Sequence, residues 1–105
     1  MPQREIAGRT VEVNEEGFLV DAGQWTPQIA EALAREAGIP VLTPRHWTVV
    51  TFCREDAIRE GAPPGLRRIA KLSGVETKEL YQLFPKGPGK LAARISGLPK
   101  PQGCV

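Results

Sequence analysis

The chain is poor in the residues from which most metal and acid–base sites are built. It has one histidine, His46, and two cysteines, Cys53 and Cys104, in 105 residues. A lone histidine and two distant cysteines lack the paired ligand spacing of a zinc site. No metal and no cofactor are therefore expected. Two cysteines do not make a disulfide scaffold. A single bridge between them stays open, with two free thiols as the default in a reducing compartment. No run approaches the roughly 20 apolar residues of a membrane-spanning helix. Met1-Pro2-Gln3-Arg4-Glu5 leads into no apolar signal stretch, so a cytoplasmic chain with no membrane partner is expected. Gly87-Pro88-Gly89 puts a proline where a phosphate-cradling loop needs backbone donors. Glu15-Glu16 and Glu55-Asp56 read as turn and helix surface, with nothing to mark an acid–base pair. There is no internal repeat and no low-complexity segment.

What is present fits one domain with one core: 41% of residues are apolar and 25% charged. The net charge of +2 is unevenly spread. Residues 1–65 hold 6 basic and 10 acidic side chains, a balance of −4, and residues 66–105 hold 8 basic and 2 acidic, a balance of +6. The basic half suits an anionic partner, whether an acidic protein surface, a nucleic acid or a small oxyanion, or simply a solvated face.

Arg9-Thr10-Val11-Glu12-Val13 alternates polar and β-branched residues. Asn14-Glu15-Glu16-Gly17 supplies a turn before Phe18-Leu19-Val20, so the spacing predicts a β-hairpin. Helical periodicity then takes over. Thr26-Pro27 is a start signal, Ile29, Ala30, Leu33 and Ala37 follow at helical spacing, and Gly38 and Pro40 stop the helix. Thr43-Pro44 repeats the start. Trp47, Val49, Val50, Phe52, Cys53, Ala57 and Ile58 make the next helix apolar around most of its circumference, so it is expected to be the central, most buried one. Shorter helices are predicted over 64–73, 77–84 and 90–95, the last after a turn-rich connector, Pro85-Lys86-Gly87-Pro88-Gly89. Trp25 and Trp47 are expected to anchor the hairpin and the long helix to one another. His46 reads as a capping or packing residue, and Cys53 as a small core hydrophobe.

The C-terminal stretch differs in kind. Gly97-Leu98-Pro99-Lys100-Pro101-Gln102-Gly103-Cys104-Val105 has two prolines, two glycines and no apolar periodicity. Fully extended, such a stretch reaches roughly 30 Å. A thiol there is accessible, which is half of cysteine reactivity; the other half is the thiolate fraction. The tail alone does not provide a strongly activating neighbour, although Lys100 favours ionisation. Cys104 therefore suits a carrier better than a self-sufficient catalyst.

A second signal lies in residues 69–84, Ile-Ala-Lys-Leu-Ser-Gly-Val-Glu-Thr-Lys-Glu-Leu-Tyr-Gln-Leu-Phe, which has the layout of a helix-turn-helix. In a DNA-binding unit Thr77, Lys78, Glu79 and Gln82 would face the major groove. Equally, two helices joined at a glycine form a common packing unit, and Glu76 and Glu79 would repel phosphates.

Nearly the whole chain resembles the DsrC/TusE sulfur carriers, also called the dissimilatory sulfite reductase gamma-subunit family. The resemblance rests on the hairpin with Gly17, on Trp25, on His46-Trp47, and above all on Leu80-Tyr81-Gln82-Leu83-Phe84-Pro85-Lys86-Gly87-Pro88 and Gly97-Leu98-Pro99-Lys100-Pro101 with Cys104. It implies an α+β, mostly α fold: about five helices with a small N-terminal hairpin over residues 1–96, and a flexible arm over 97–105. It implies a sulfurtransferase-type carrier that holds a persulfide on Cys104. In the TusE branch, sulfur arrives from a TusBCD-type or rhodanese-type donor and leaves to a tRNA thiouridylase for 2-thiouridine synthesis. In the DsrC branch a second arm cysteine takes part in sulfite reduction or sulfur oxidation. That position aligns with Ala93 here, so the single-thiol relay is the implied chemistry and partnership with sulfite reductase the alternative. Arg67 and Lys71 match basic positions of the family and, with Lys100, are expected to guide the arm or a partner.

Overall fold

The computed structural model describes residues 2–101. Strands β1 (Gln3–Ile6) and β2 (Arg9–Glu12) pair antiparallel, Gln3 opposite Glu12 and Ile6 opposite Arg9. Ala7 and Gly8 close the turn with φ of 52° and 77°. Two left-handed residues in a two-residue loop match the twist of the strands they join. The hairpin is thus present, but it forms one turn earlier than the sequence pattern suggests. The expected partner, Phe18-Leu19-Val20, contributes only a single bridge between Val13 and Leu19. The cause is local. The Asn14 side chain accepts from the N–H groups of Glu16 (2.9 Å) and Phe18 (3.0 Å), which folds the loop tightly. Soon afterwards the Asp21 side chain caps a short 3-10 turn, Ala22–Gln24, and ends any longer ladder.

Five helices follow: α1 (Pro27–Glu36), α2 (Pro44–Glu60), α3 (Leu66–Leu72), α4 (Thr77–Leu83) and α5 (Pro88–Ile95). Thr26 and Thr43 cap α1 and α2 by accepting from the backbone N–H three residues on, with proline at the first helical position of each. Gly61 and Gly74, at φ 76° and 83°, turn the chain out of α2 and between α3 and α4. Helix α5 begins at Pro88, earlier than expected, because Pro88 serves as a helix start rather than as part of the connector.

The central helix is α5, not α2. Pro88, Gly89, Leu91, Ala92, Ala93 and Ile95 are buried, and α1, α2 and α4 all pack on α5. Its small residues Gly89, Ala92 and Ala93 let three helices approach. Helix α2 buries His46, Val49, Val50, Cys53 and Asp56. Its outer side leaves Trp47 and Phe52 half-buried and Ile58 83% exposed. Apolar composition around a helix does not require neighbours on every side, and here that face is only partly covered. No described helix is long and apolar enough to cross a membrane.

Candidate functional site

The described part of the C-terminal stretch leaves α5 through a fixed exit. Helix α5 ends in a paired cap: Gly97 N–H donates to the Arg94 carbonyl (3.1 Å) and Leu98 N–H to the Ala93 carbonyl (2.9 Å). Gly97 sits at φ 72°, the left-handed conformation this cap needs. Leu98 then turns inward and is buried in the core. Trp25 forms the outer wall of this exit. Its indole Nε1–H donates to the Ile95 carbonyl at 2.8 Å. A Cβ on residue 97 would lie 2.5 Å from the indole Cδ1, so glycine is required there for space as well as for φ.

Arg54, on α2, completes the exit. Its guanidinium lies 4.1 Å from the centroid of the Trp25 ring and donates to the Ser96 carbonyl at 2.8 Å. A cation over an indole contributes on the order of 0.5–2 kcal/mol. Burial draws the Arg54 pKa below its usual value, and the carbonyls and the ring take the place of lost water. Trp25 thus lies outside the hairpin strands and ties the segment after the 3-10 turn to α5 and, through Arg54, to α2. Trp25 and Trp47 do line one shallow apolar hollow, with Arg54 and Ile58.

Past the exit, Pro99 and Lys100 are exposed and Pro101 is buried. Lys100 Nζ lies 3.4 Å from Glu16 Oε2, in the hairpin-side loop. Cys104 lies outside the described residues. Arg67 and Lys71 stand one turn apart on the exposed side of α3. Lys100 is thus engaged at the hairpin-side loop, while Arg67 and Lys71 belong to α3. Ala93 is buried within α5.

The other thiol is sealed. Cys53 is fully buried, and burial pushes its pKa up to about 12, with the Asp56 charge adding to the rise. The Ser96 hydroxyl pulls the other way. That pair lacks the geometry of a full hydrogen bond, since Ser96 Oγ has no partner among the described residues. A thiol so held is a core side chain, not a nucleophile. Asp56 is shut from solvent by the guanidinium groups that pair with it: Arg68 through Nε (2.8 Å) and Nη2 (2.9 Å), and Arg59 at 2.9 Å. The Arg68 hydrogen bonds, foremost, hold its carboxyl below the usual range against the opposing effect of burial.

His46 is structural. Its Nδ1 accepts from Thr43 N–H (3.0 Å) in a capping box, and its Nε2 donates to the Leu83 carbonyl (2.8 Å). A carbonyl only accepts, so the proton belongs on Nε2. The ring also meets Phe84 edge-on at 5.2 Å. Helices α3 and α4 do form a helix-turn-helix pair, but Glu79 is held in a two-pronged pair with Arg45, both contacts 2.8 Å. This fixes α4 to the start of α2.

The packing of Trp25 and Arg54 against the Gly97 end of α5 is the structural element that sequence reasoning missed. Trp25 and Gly97 each stood out in the sequence, but nothing there shows that they touch.

Comparison with known proteins agrees with this architecture. A family model described as "DsrC like protein" matches residues 5–105. The chain is 40% identical over 105 residues to "Sulfite reductase, dissimilatory-type subunit gamma" of Nitratidesulfovibrio vulgaris, covering 100% of both chains. It is 38% identical over 105 residues to "Sulfurtransferase TusE" of Escherichia coli strain K12, covering 93% of this chain and 95% of that one. The solution structure of Allochromatium vinosum DsrC superposes with a TM-score of 0.85 at 37% identity, covering 98% of this chain and 97% of the other.

Proposed function

Since the chain belongs to the DsrC-like family, we propose that it is a sulfur carrier whose working atom is Sγ of Cys104. The observation that carries this reading is the contrast between the two thiols. Cys53 is buried with its pKa pushed up to about 12, which leaves Cys104, beyond the anchored segment 97–101, as the thiol for exchange. The anchored exit supports an arm that departs from one fixed point, so that its thiol reaches a partner's site while the body stays outside.

The chemistry balances without an external oxidant. The Cys104 thiolate attacks the outer sulfur of a donor protein's cysteine persulfide. The donor's S–S bond breaks, a new S–S bond forms on Cys104, and the donor leaves as thiolate. The acceptor's thiolate repeats the step. With Ala93 buried at the second position, no second arm thiol competes to release the sulfur, so the acceptor must do so. That favours a one-thiol relay from a TusBCD-type or rhodanese-type donor to a tRNA thiouridylase, in the cytoplasm. Partnership with sulfite reductase is the second reading, drawn from the full-length relative named as its gamma subunit.

The test is intact mass after incubation with a cysteine desulfurase and cysteine. The unaltered chain should gain about one sulfur atom, removable by reductant, and Cys104→Ser should gain none. No adduct, with donor-type relay proteins added, would overturn the reading. Release of the labelled sulfur to a thiouridylase rather than to sulfite reductase would separate the two acceptors.

A further inference from the structure

The geometry points to a small-oxyanion binding pocket on α5 whose affinity is coupled to the seating of Lys100. A cavity of about 170 Å³ is lined by Glu16, Phe18, Lys86, Lys90, Leu91 and Arg94. Phe18 and Leu91 are buried and give it an apolar floor. Lys90 and Arg94 stand one helical turn apart on α5, and Lys86 lies just ahead of that helix. The Arg94 guanidinium is held over Gly17, where an added Cβ would lie 2.5 Å from Nη2. Among the described residues none of these three cations forms an ion pair. Three positive charges around a partly enclosed cavity repel one another and are relieved by a compact, multiply charged anion. A cavity of this size fits a single tetrahedral oxyanion rather than a macromolecular surface.

Glu16 is the exception in the lining, and it carries the coupling. Its carboxylate opposes an anion, but Lys100 Nζ lies 3.4 Å from Oε2 and screens it. With Lys100 seated, the Glu16 charge is partly offset and the three cations dominate the pocket. With Lys100 withdrawn, Glu16 faces the anion. Linkage is reciprocal, so a bound oxyanion favours the seated Lys100 and with it the anchored segment 97–101. This does not depend on sulfur transfer.

The test is a sulfate titration of the full chain followed by backbone amide NMR, with ionic strength held constant by chloride. Saturable shifts are expected at 90–94 and 14–18. Lys90→Ala should weaken binding about three- to tenfold, the size of one partly screened charge on a dianion. Lys86→Ala, on the exposed rim, repeats the test should Lys90→Ala unfold. Glu16→Gln should tighten binding. Lys100→Ala should weaken it about two- to fivefold in the unaltered background, the range of an exposed ion pair, and leave it unchanged in Glu16→Gln. Shifts that do not saturate, or that ignore both Lys90→Ala and Lys86→Ala, overturn the pocket. Equal effects of Lys100→Ala with and without Glu16→Gln overturn the coupling.

Discussion

Gly97 and Trp25 meet so closely that a Cβ on residue 97 would lie 2.5 Å from the indole Cδ1. The contact joins residues far apart in the chain, and it sits where the described part of the C-terminal stretch leaves α5. Because Gly97 also has φ 72°, both space and backbone conformation exclude a larger residue.

Gly97→Ala should therefore destabilise the chain by about 1–3 kcal/mol, from left-handed strain plus displacement of the indole. Thermal unfolding gives the magnitude. Trp25→Phe removes the hydrogen bond to the Ile95 carbonyl and shrinks the ring beneath Arg54, and should cost about 1–3 kcal/mol, mostly for the unpaired, partly buried acceptor. A melting temperature unchanged by Gly97→Ala would mean the exit is not rigid.

Only one of the two cysteines should react in the native state. With its pKa raised by burial to about 12, Cys53 stays a neutral thiol at pH 8, so iodoacetamide should modify Cys104 alone until denaturant is added. The sign for stability follows from the folded value lying above the unfolded one. The contribution is complete below the ordinary cysteine range near pH 8.5 and declines as pH rises toward about 12. Peptide mapping of the alkylated chain reads this directly, and labelling of Cys53 without denaturant would contradict its burial.

Asp56 sets the opposite pH dependence. Its carboxyl is held below the usual range, chiefly by Arg68, so its stabilisation is present above the unfolded value, near pH 3.9, and is lost as pH falls through the lowered folded value. Asp56→Asn should lower stability at pH 7 by about 1–3 kcal/mol, the cost of losing a charge-assisted bond. It should also flatten the acid limb below about pH 4. Urea midpoints at pH 7, 4 and 3 compare the two proteins; parallel curves would mean Asp56 is not the group that titrates.

His46 should be divisible into two roles. His46→Ala removes both the capping box to Thr43 and the bond to the Leu83 carbonyl, at about 1–3 kcal/mol. His46→Gln keeps a side chain that can close the box but is not expected to reach Leu83, so its melting temperature should fall between the two. Equal loss in both variants would assign the whole effect to the α4 contact.

Much was legible along the chain because much of it is local. Helix starts at Thr26-Pro27 and Thr43-Pro44, and exits at Gly38, Gly61 and Gly74, follow from caps and backbone freedom that neighbouring residues alone dictate. So does the core role of Cys53, set in an apolar helix. The Ala7-Gly8 turn escaped because alanine seldom adopts positive φ, and only pairing of the flanking strands holds it there.

The sequence by itself determined the helices, their caps, the single core, the lone candidate thiol of the tail and the family that the motifs at 80–88 and 97–104 resemble. These rest on periodicity and short-range chemistry. Only the tertiary structure decided that α5 rather than α2 is central, because burial depends on what packs against a helix. It alone brought Trp25 onto Gly97 and Arg54 onto the Ser96 carbonyl, sealed Asp56 beneath Arg59 and Arg68, and set Lys100 against Glu16 beside the α5 cations. Such contacts join residues tens of positions apart, and spacing along a chain carries no information about which distant side chains will share a few ångströms.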